Sequence, residues 1–112
     1  MYDLYEELQK KIKELEISVK ALRKTGSDFA QAEMNYKIKL SQETFRLRDS
    51  GTAVTMIPLT IYGIKEVAEL RFKRDIAETI YKVNQESINS LKLQIRIIEG
   101  QIGREIGQTK YE

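Results

Sequence analysis

The stretch from Gly51 to Gly63, GTAVTMIPLTIYG, most constrains what this chain can fold into. It contains the only proline, Pro58, and no charged residue, whereas the segments on both sides are rich in charge. A proline is excluded from a helix interior because its ring removes a backbone donor and clashes with the preceding turn. The stretch therefore predicts a bend between two helical segments, which is the organisation of a helical hairpin.

We expect this bend, residues 51–63, to be an extended and partly buried loop. Most of its residues are β-branched or aromatic, and Ile57 is pushed toward extended geometry by the proline that follows it. Arg46 and Arg48 suit the negative end of a preceding helix, and Gly51 suits the residue just past it.

The first segment has the period of a helix, predicted at about residues 3–24. Its apolar residues recur at intervals of four and three: Leu8, Ile12, Leu15, Val19 and Leu22. Such a heptad seam is the surface on which another helix packs.

The sequence Thr25-Gly26-Ser27-Asp28 predicts a stop and a restart of the helix. Gly26 can end one helix, and Ser27 or Asp28 can cap the next, at about residues 28–49. Further apolar positions follow with a shifted phase: Phe29, Ala32, Tyr36, Leu40, Thr44 and Leu47. The alternative is one helix running through Gly26, at a cost of about 1 kcal/mol relative to alanine. The shift favours a kink or a short break.

The segment after the bend predicts one long helix at about residues 64–106, with Glu66 in its first turn. Its seam repeats at intervals of four and three over Ala77, Tyr81, Asn84, Ile88, Leu91, Ile95, Ile98 and Ile102. Asn84 is the polar member, and a polar core residue of this kind often sets the register or the oligomeric state. The last part of the chain contains Gly100, Gly103 and Gly107, which predict that the helix frays at its end.

A second apolar stripe flanks this seam. It consists of Phe72, Ile76, Ile80, Val83, Leu93 and Ile97. One antiparallel helix cannot cover both surfaces. Either a monomeric three-helix bundle buries the stripe, or the stripe is a face for self-association into a larger bundle. We favour self-association, because a slender hairpin buries little apolar surface for each residue that it orders.

Composition excludes several classes of protein. The chain has 19 basic and 17 acidic residues, a net charge of +2, which is too small a surplus to indicate nucleic acid or membrane. It has no cysteine and no histidine, so disulfides and Cys/His zinc sites are excluded, and so is the commonest general base at neutral pH. The first residues, MYDLYEELQKK, carry acids where a secretion signal would carry bases, so we expect none, and the sequence has no apolar run of about 18 residues. We expect a cytoplasmic protein with no cofactor, no metal ion, no catalytic residues and no membrane contact.

The uncharged bend has two interpretations. It is a tip that docks a partner through exposed Met56, Ile57, Leu59 and Tyr62, or it is a loop that folds back to plug the end of the hairpin. The plug is favoured, because loops this apolar usually cover something. The residues proposed for partner contact are Met56, Ile57, Leu59, Tyr62, Arg71 and Arg74.

Basic residues surround the bend. They are Arg46, Arg48, Lys65, Arg71, Lys73 and Arg74, and acids are interspersed among them. A nucleic-acid-binding accessory protein would use the five at 46, 48, 71, 73 and 74 for phosphate contacts. A solvated helix face with ion pairs such as Glu69–Lys73 is the favoured interpretation.

Three runs carry a resemblance to a known family: RLRDSGTAVTMIP, EVAELRFKRDIAETIYK and INSLKLQIRIIEGQIGRE, between Arg46 and Glu105. They resemble small helical proteins of phages and prophages of Gram-positive bacteria, in which an LRxxG turn leads to a V-T motif and then to a helix with VAxLxxxRDxAE. Val54-Thr55 and Arg74-Asp75 are the least generic matches. The chain departs from the family pattern just before its last helix. The family pattern has an acidic capping residue there, whereas this chain has Gly63-Ile64. The resemblance implies a cytoplasmic protein of the infected or lysogenic host, and no activity.

The sequence therefore predicts an all-α fold, an elongated antiparallel hairpin of two to three long helices that forms a homo-oligomer. The expected function is non-enzymatic: binding a host or phage protein, for example to inhibit a host defence or replication enzyme. The alternatives are the nucleic-acid-binding accessory protein and a purely structural coiled-coil spacer.

Overall fold

The computed structural model describes the backbone of residues 3–111 and the side chains of residues 3–107, and this part of the chain is all-α without strands. Helix α1 spans Leu4–Asp49, the short helix α2 spans Ile57–Thr60, a 3₁₀ turn spans Ile61–Gly63, and helix α3 spans Lys65–Tyr111. The predicted fold class, with two long helices joined at the apolar stretch, is confirmed.

The chain packs as two compact units, each built from a piece of α1 and a piece of α3. The terminal unit comprises residues 1–23 and 82–112, and the bend unit comprises residues 24–81. In the bend unit the helices run antiparallel, because Gly26 lies against Tyr81 and Glu33 lies against Arg74. No helix in the described part of the chain carries an apolar run long enough to cross a bilayer.

Helix α1 has a definite cap at each end. Oδ1 of Asp3 accepts hydrogen bonds from the backbone N–H groups of Tyr5 at 3.0 Å and Glu6 at 3.2 Å, as an N-cap does. At the other end, Gly51 has a φ of 84°. Its N–H bonds the carbonyl of Arg48 at 3.0 Å, and the N–H of Thr52 bonds that of Leu47 at 3.1 Å. This pair of bonds is a Schellman motif, so Gly51 has the role that the sequence predicts.

The prediction of a break near Gly26 is wrong, because α1 is continuous from Leu4 to Asp49. An unbroken heptad faces α3 at positions 8, 11, 15, 18, 22, 25, 29, 32 and 36, all buried or half-buried. Ser18, Thr25 and Ala32 occupy one column of this seam. Val19, which the apolar pattern places in the seam, is exposed. The spacing of the large apolar residues changes because small residues occupy some of the positions that face α3. The helix itself continues without interruption.

Gly26 also has a packing role inside α1. A Cβ added there would lie 3.2 Å from Cε1 of Tyr81, so the missing side chain makes room for the tyrosine ring. The same ring packs against Phe29, with ring centroids 6.0 Å apart. This close approach offsets part of the cost of a glycine in a helix interior.

Residues 57–63 of the bend are helical, whereas residues 51–56 form turns and irregular backbone. The prediction of an extended loop is therefore wrong for the second half of the bend. Pro58 lies in the first turn of α2, where its missing N–H is not needed. Ile57 begins α2 in helical geometry, and its N–H bonds the carbonyl of Ala53 at 3.3 Å. Leu47, Ile57 and Ile61 form a buried cluster here, with Leu40 and Ile64 packed against it. Burial of the two isoleucines stabilises the helical turn over the extended conformation.

The seam of α3 is confirmed over all eight predicted positions, which are buried or half-buried. It continues upstream through Arg74, Leu70 and Val67, and Val67 is completely buried. Glu66 lies in the first turn as expected. The predicted helix end near Ile106 is wrong, because α3 continues to Tyr111. The fraying of the tail stays a prediction, and Glu112 lies outside the described residues. Ile98 and Ile102 remain buried near this end, and their packing opposes fraying at the glycines.

Candidate functional site

The apolar residues of the bend divide between its inside and its outside. Ile57 is only 7% exposed, so its predicted exposure is wrong, whereas Leu59 is 76% exposed. Met56 and Tyr62 are also exposed, and so is Val54, which the sequence analysis did not select. Ile57 and Ile61 therefore plug the end of the bend unit, and Val54, Met56, Leu59 and Tyr62 form its outer surface. Docking of a partner on that surface stays a prediction.

A hollow of about 280 Å³ opens beside the bend. We call it the bend hollow. It is lined by Leu40, Thr44, Arg48, Val54, Ile57, Pro58, Ile61 and Tyr62. Among these lining residues, Arg48 is the charged one. The hydroxyl of Thr44 donates a hydrogen bond of 2.7 Å to the carbonyl of Leu40, so Arg48 is the lining side chain best placed to bind an anion.

Arg71 lies next to this surface. Its guanidinium carbon is 5.1 Å from the ring centroid of Tyr62, which is a cation–π distance. Arg71 is exposed, so its charge lies at the outer surface of the bend unit. The structure thus brings two of the predicted contact residues, Arg71 and Tyr62, together.

Arg74 has a different environment from the one that the sequence analysis assumed. Its side chain is only 20% exposed and occupies a seam position of α3. The guanidinium carbon lies 4.6 Å from the ring centroid of buried Tyr36, and Nε lies 3.6 Å from a carboxylate oxygen of Glu33. Its Nη2 donates a hydrogen bond of 2.7 Å to Asp75, which raises the pKa of Arg74 against the opposing effect of burial. This arginine ties the two helices of the bend unit together.

The basic residues around the bend are partly occupied by acids of the same chain. Arg46 donates a hydrogen bond to Glu43, and Lys39 lies 3.2 Å from the same carboxylate. The bond from Arg46 is the main reason that the pKa of Glu43 is lowered. Of the five predicted phosphate contacts, Arg46 and Arg74 are held by carboxylates, and the other three are exposed: Arg48, Arg71 and Lys73.

The second apolar stripe of α3 is exposed in both units. In the bend unit it comprises Phe72, Ile76 and Ile80, which we call the outer face, and Phe72 is 65% exposed. In the terminal unit it comprises Val83, Leu93 and Ile97, which are also exposed. The alternative in which a three-helix bundle buries the stripe is wrong, since α1 is one helix and the described residues contain no third long helix.

A hollow of about 200 Å³ lies beside the outer face, between α1 and α3. It is lined by Thr25, Asp28, Lys73, Ile76, Ala77 and Ile80. The outer face is therefore a ridge of large apolar side chains next to a depression, which is the kind of relief into which another helix can pack.

Sequence analysis missed an exposed apolar set on α1 of the bend unit. It consists of Met34, Ile38 and Phe45. Their spacings of four and seven place them on one helical face, and this signal was available in the sequence. The seam through Tyr36 and Leu40, which is also apolar, lies on the opposite side of the helix.

Asn84 has the packing role that its seam position predicts. In the terminal unit its side-chain amide donates a 3.0 Å hydrogen bond to the backbone carbonyl of Ser18. Because this bond joins one residue of α3 to one residue of α1, it fixes the register of the two helices in this unit.

The described side chains include no group of three His, Cys, Asp or Glu residues arranged to hold a metal ion. No protein-family model matches the chain, and neither the curated proteins nor the solved structures gave a match.

Proposed function

We propose that this chain is a non-enzymatic protein-interaction factor that associates with a second copy of itself through the outer face of α3. The observation that carries the proposal is the exposure of Phe72, Ile76 and Ile80 on a well-formed helix. A contiguous exposed apolar ridge marks a surface that another molecule covers.

The numbers of buried and exposed hydrophobic side chains support this proposal. Among the described residues, nine hydrophobic side chains are buried, while 17 large hydrophobic side chains are exposed. Full burial of a large apolar side chain contributes about 1.5–3 kcal/mol. Covering the outer face on two copies at once would add several such contributions. Because the intramolecular core is small, these contributions would be a substantial part of the total stability.

A second copy fits the outer face because the ridge is symmetric along α3. Phe72 and Ile80 lie four residues on either side of Ile76. Antiparallel pairing of two copies would place Phe72 against Ile80 of the second copy and Ile76 against its own counterpart. Such self-complementarity is what an isologous two-fold interface requires.

A further partner is proposed from the resemblance of residues 46–105 alone. That resemblance supports a protein of a phage or of its bacterial host as the target, and inhibition of a host defence or replication enzyme is one way in which such binding could act. The nucleic-acid alternative has less support, because Arg46 and Arg74 are already paired with acids.

Sedimentation velocity over a range of protein concentrations tests the self-association. The double variant Ile76→Glu with Ile80→Glu should sediment as a monomer and keep its helical circular dichroism, while the unaltered chain forms a dimer or larger species. A matched control adds two acids at exposed polar positions of the same unit, Ser41→Glu with Gln42→Glu, and should behave as the unaltered chain. A chain that stays monomeric at every concentration would contradict the proposal.

A further inference from the structure

We propose that the bend hollow is the recognition pocket for a protein partner, and that it takes one large apolar side chain flanked by carboxylates. This inference rests on the proposed function as an interaction protein, and it uses a surface separate from the outer face of α3.

The size of the hollow suits a single side chain. Buried Ile57 and Ile61 and half-buried Leu40 line its deeper part, while exposed Val54 and Tyr62 line its mouth. An apolar cavity of about 150 Å³ holds a benzene molecule. A hollow of about 280 Å³ therefore has room for a phenylalanine, leucine or methionine side chain together with part of its backbone.

The wall of the hollow is held in place before any partner arrives. The Schellman bonds at Gly51 fix the exit from α1, and Pro58 restricts the backbone in the first turn of α2. The hydroxyl of Thr60 adds a 2.9 Å hydrogen bond to the carbonyl of Met56. A pre-organised pocket loses little conformational entropy on binding, which favours affinity for a short peptide segment.

Charge complementarity selects the residues that flank the apolar side chain. Arg48 is the charged lining residue, and Arg71 adds a second positive charge next to Tyr62 at the mouth. Two acids lie near this end of α1. Glu43 is held by Arg46 and Lys39, and Asp49, the last residue of α1, is not among the residues that line the hollow. A guanidinium binds a carboxylate through paired, charge-assisted hydrogen bonds, so an acidic flank is favoured over a neutral or basic one.

Three synthetic peptides test this specificity: acetylated and amidated GEEFEEG, GEESEEG and GKKFKKG. Each is titrated into ¹⁵N-labelled protein and followed by heteronuclear NMR. We expect GEEFEEG alone to shift the amide signals of Thr44, Val54 and Tyr62 in a saturable manner. Equal shifts with GEESEEG would overturn the apolar pocket, and equal shifts with GKKFKKG would overturn the charge selection.

Variants then locate the site. Arg48→Gln should weaken binding of GEEFEEG about threefold to tenfold, the effect of losing one charge-assisted bond near the surface. Val54→Asp should abolish it, because a carboxylate at the mouth repels the peptide. The matched controls lie in the terminal unit, Arg104→Gln and Val83→Asp, and should bind as the unaltered chain does.

Two further outcomes separate this inference from its competitors. If vesicles of phosphatidylglycerol and phosphatidylcholine sediment the protein and GEEFEEG does not bind, the surface is a membrane contact and the inference is wrong. The variant Ile76→Glu with Ile80→Glu should leave peptide binding unchanged. If the protein does not self-associate but still binds GEEFEEG, the proposed dimer is wrong and the pocket is retained. If it self-associates but does not bind GEEFEEG, the pocket is wrong and the dimer is retained.

Discussion

At the scale of single residues, the seam of α3 carries two polar side chains among its apolar ones. Arg74 lies between Glu33 and Tyr36 in the bend unit, and Asn84 bonds the carbonyl of Ser18 in the terminal unit. A polar group at a seam position costs desolvation unless it is paired. Because both residues have partners on α1, they fix how α1 and α3 align within their own units.

Arg74 should matter for stability more than the neighbouring Arg71. Arg74→Ala exposes the Tyr36 ring and removes one of two cations near Glu33, the other being Lys37, so we expect the free energy of unfolding to fall by about 1–3 kcal/mol. Arg71→Ala loses one exposed cation–π contact and should cost less than about 1 kcal/mol. Urea denaturation followed by circular dichroism measures both. Equal losses would mean that Arg74 is a surface residue like its neighbour.

Glu43 should give the protein a dependence on acid. Its pKa is lowered, chiefly by the hydrogen bond from Arg46, so the charged carboxylate stabilises the folded chain above the unfolded pKa of about 4.3. That contribution disappears as the pH falls through the lower, folded-state pKa. The stability advantage of the unaltered chain over Glu43→Gln should shrink as the pH falls from about 5 to 3. An advantage that stays constant over this range would contradict the assignment.

At the scale of elements, α1 shows why a helix boundary is hard to infer from apolar spacing. The sequence around Gly26 has both a glycine and good capping residues, which usually predict an end. What continues the helix is tertiary: the ring of Tyr81 occupies the space beside Gly26. That contact joins residues far apart in the chain, so a local pattern did not reveal it. The confirmed elements, the cap at Gly51 and the heptad of α3, depend on local signals.

Gly26 in α1 and Gly103 in α3 should respond differently to replacement by alanine. Gly103 has nothing within 4 Å of an added Cβ, so Gly103→Ala should stabilise the helix by about 0.5–1 kcal/mol. At Gly26 the same gain is opposed by the 3.2 Å approach to Tyr81, and we expect no net gain or a loss.

A second background isolates the contact at Gly26. In a Tyr81→Leu variant the ring is gone, so Gly26→Ala should there recover a gain close to that of Gly103→Ala. Thermal melts of the unaltered chain, Gly26→Ala, Tyr81→Leu and the double variant measure this difference. Equal gains in stability from Gly26→Ala in both backgrounds would show that the ring does not constrain this position.

At the scale of the whole molecule, the sequence predicted the fold class and the position of the bend but only part of the candidate surfaces. Leu59 and Tyr62 were selected as exposed and are exposed, while Ile57 is buried because α2 turns it inward. Arg74 was selected as a contact on its charge alone, and its partners on α1 became visible only with the helix pairing. The bend hollow depends on residues from α1 and the bend together, so no single motif could indicate it.

The central claim is that the outer face of α3 joins two copies, and cross-linking tests it most directly. The chain has no cysteine, so Ile76→Cys introduces the only thiol, at the centre of the symmetric ridge. Under mild oxidation at micromolar concentration, this variant should form a covalent dimer rapidly, while Gln42→Cys should remain monomeric. Slow cross-linking at the same rate in both variants would contradict the claim and would leave the outer face without its proposed partner.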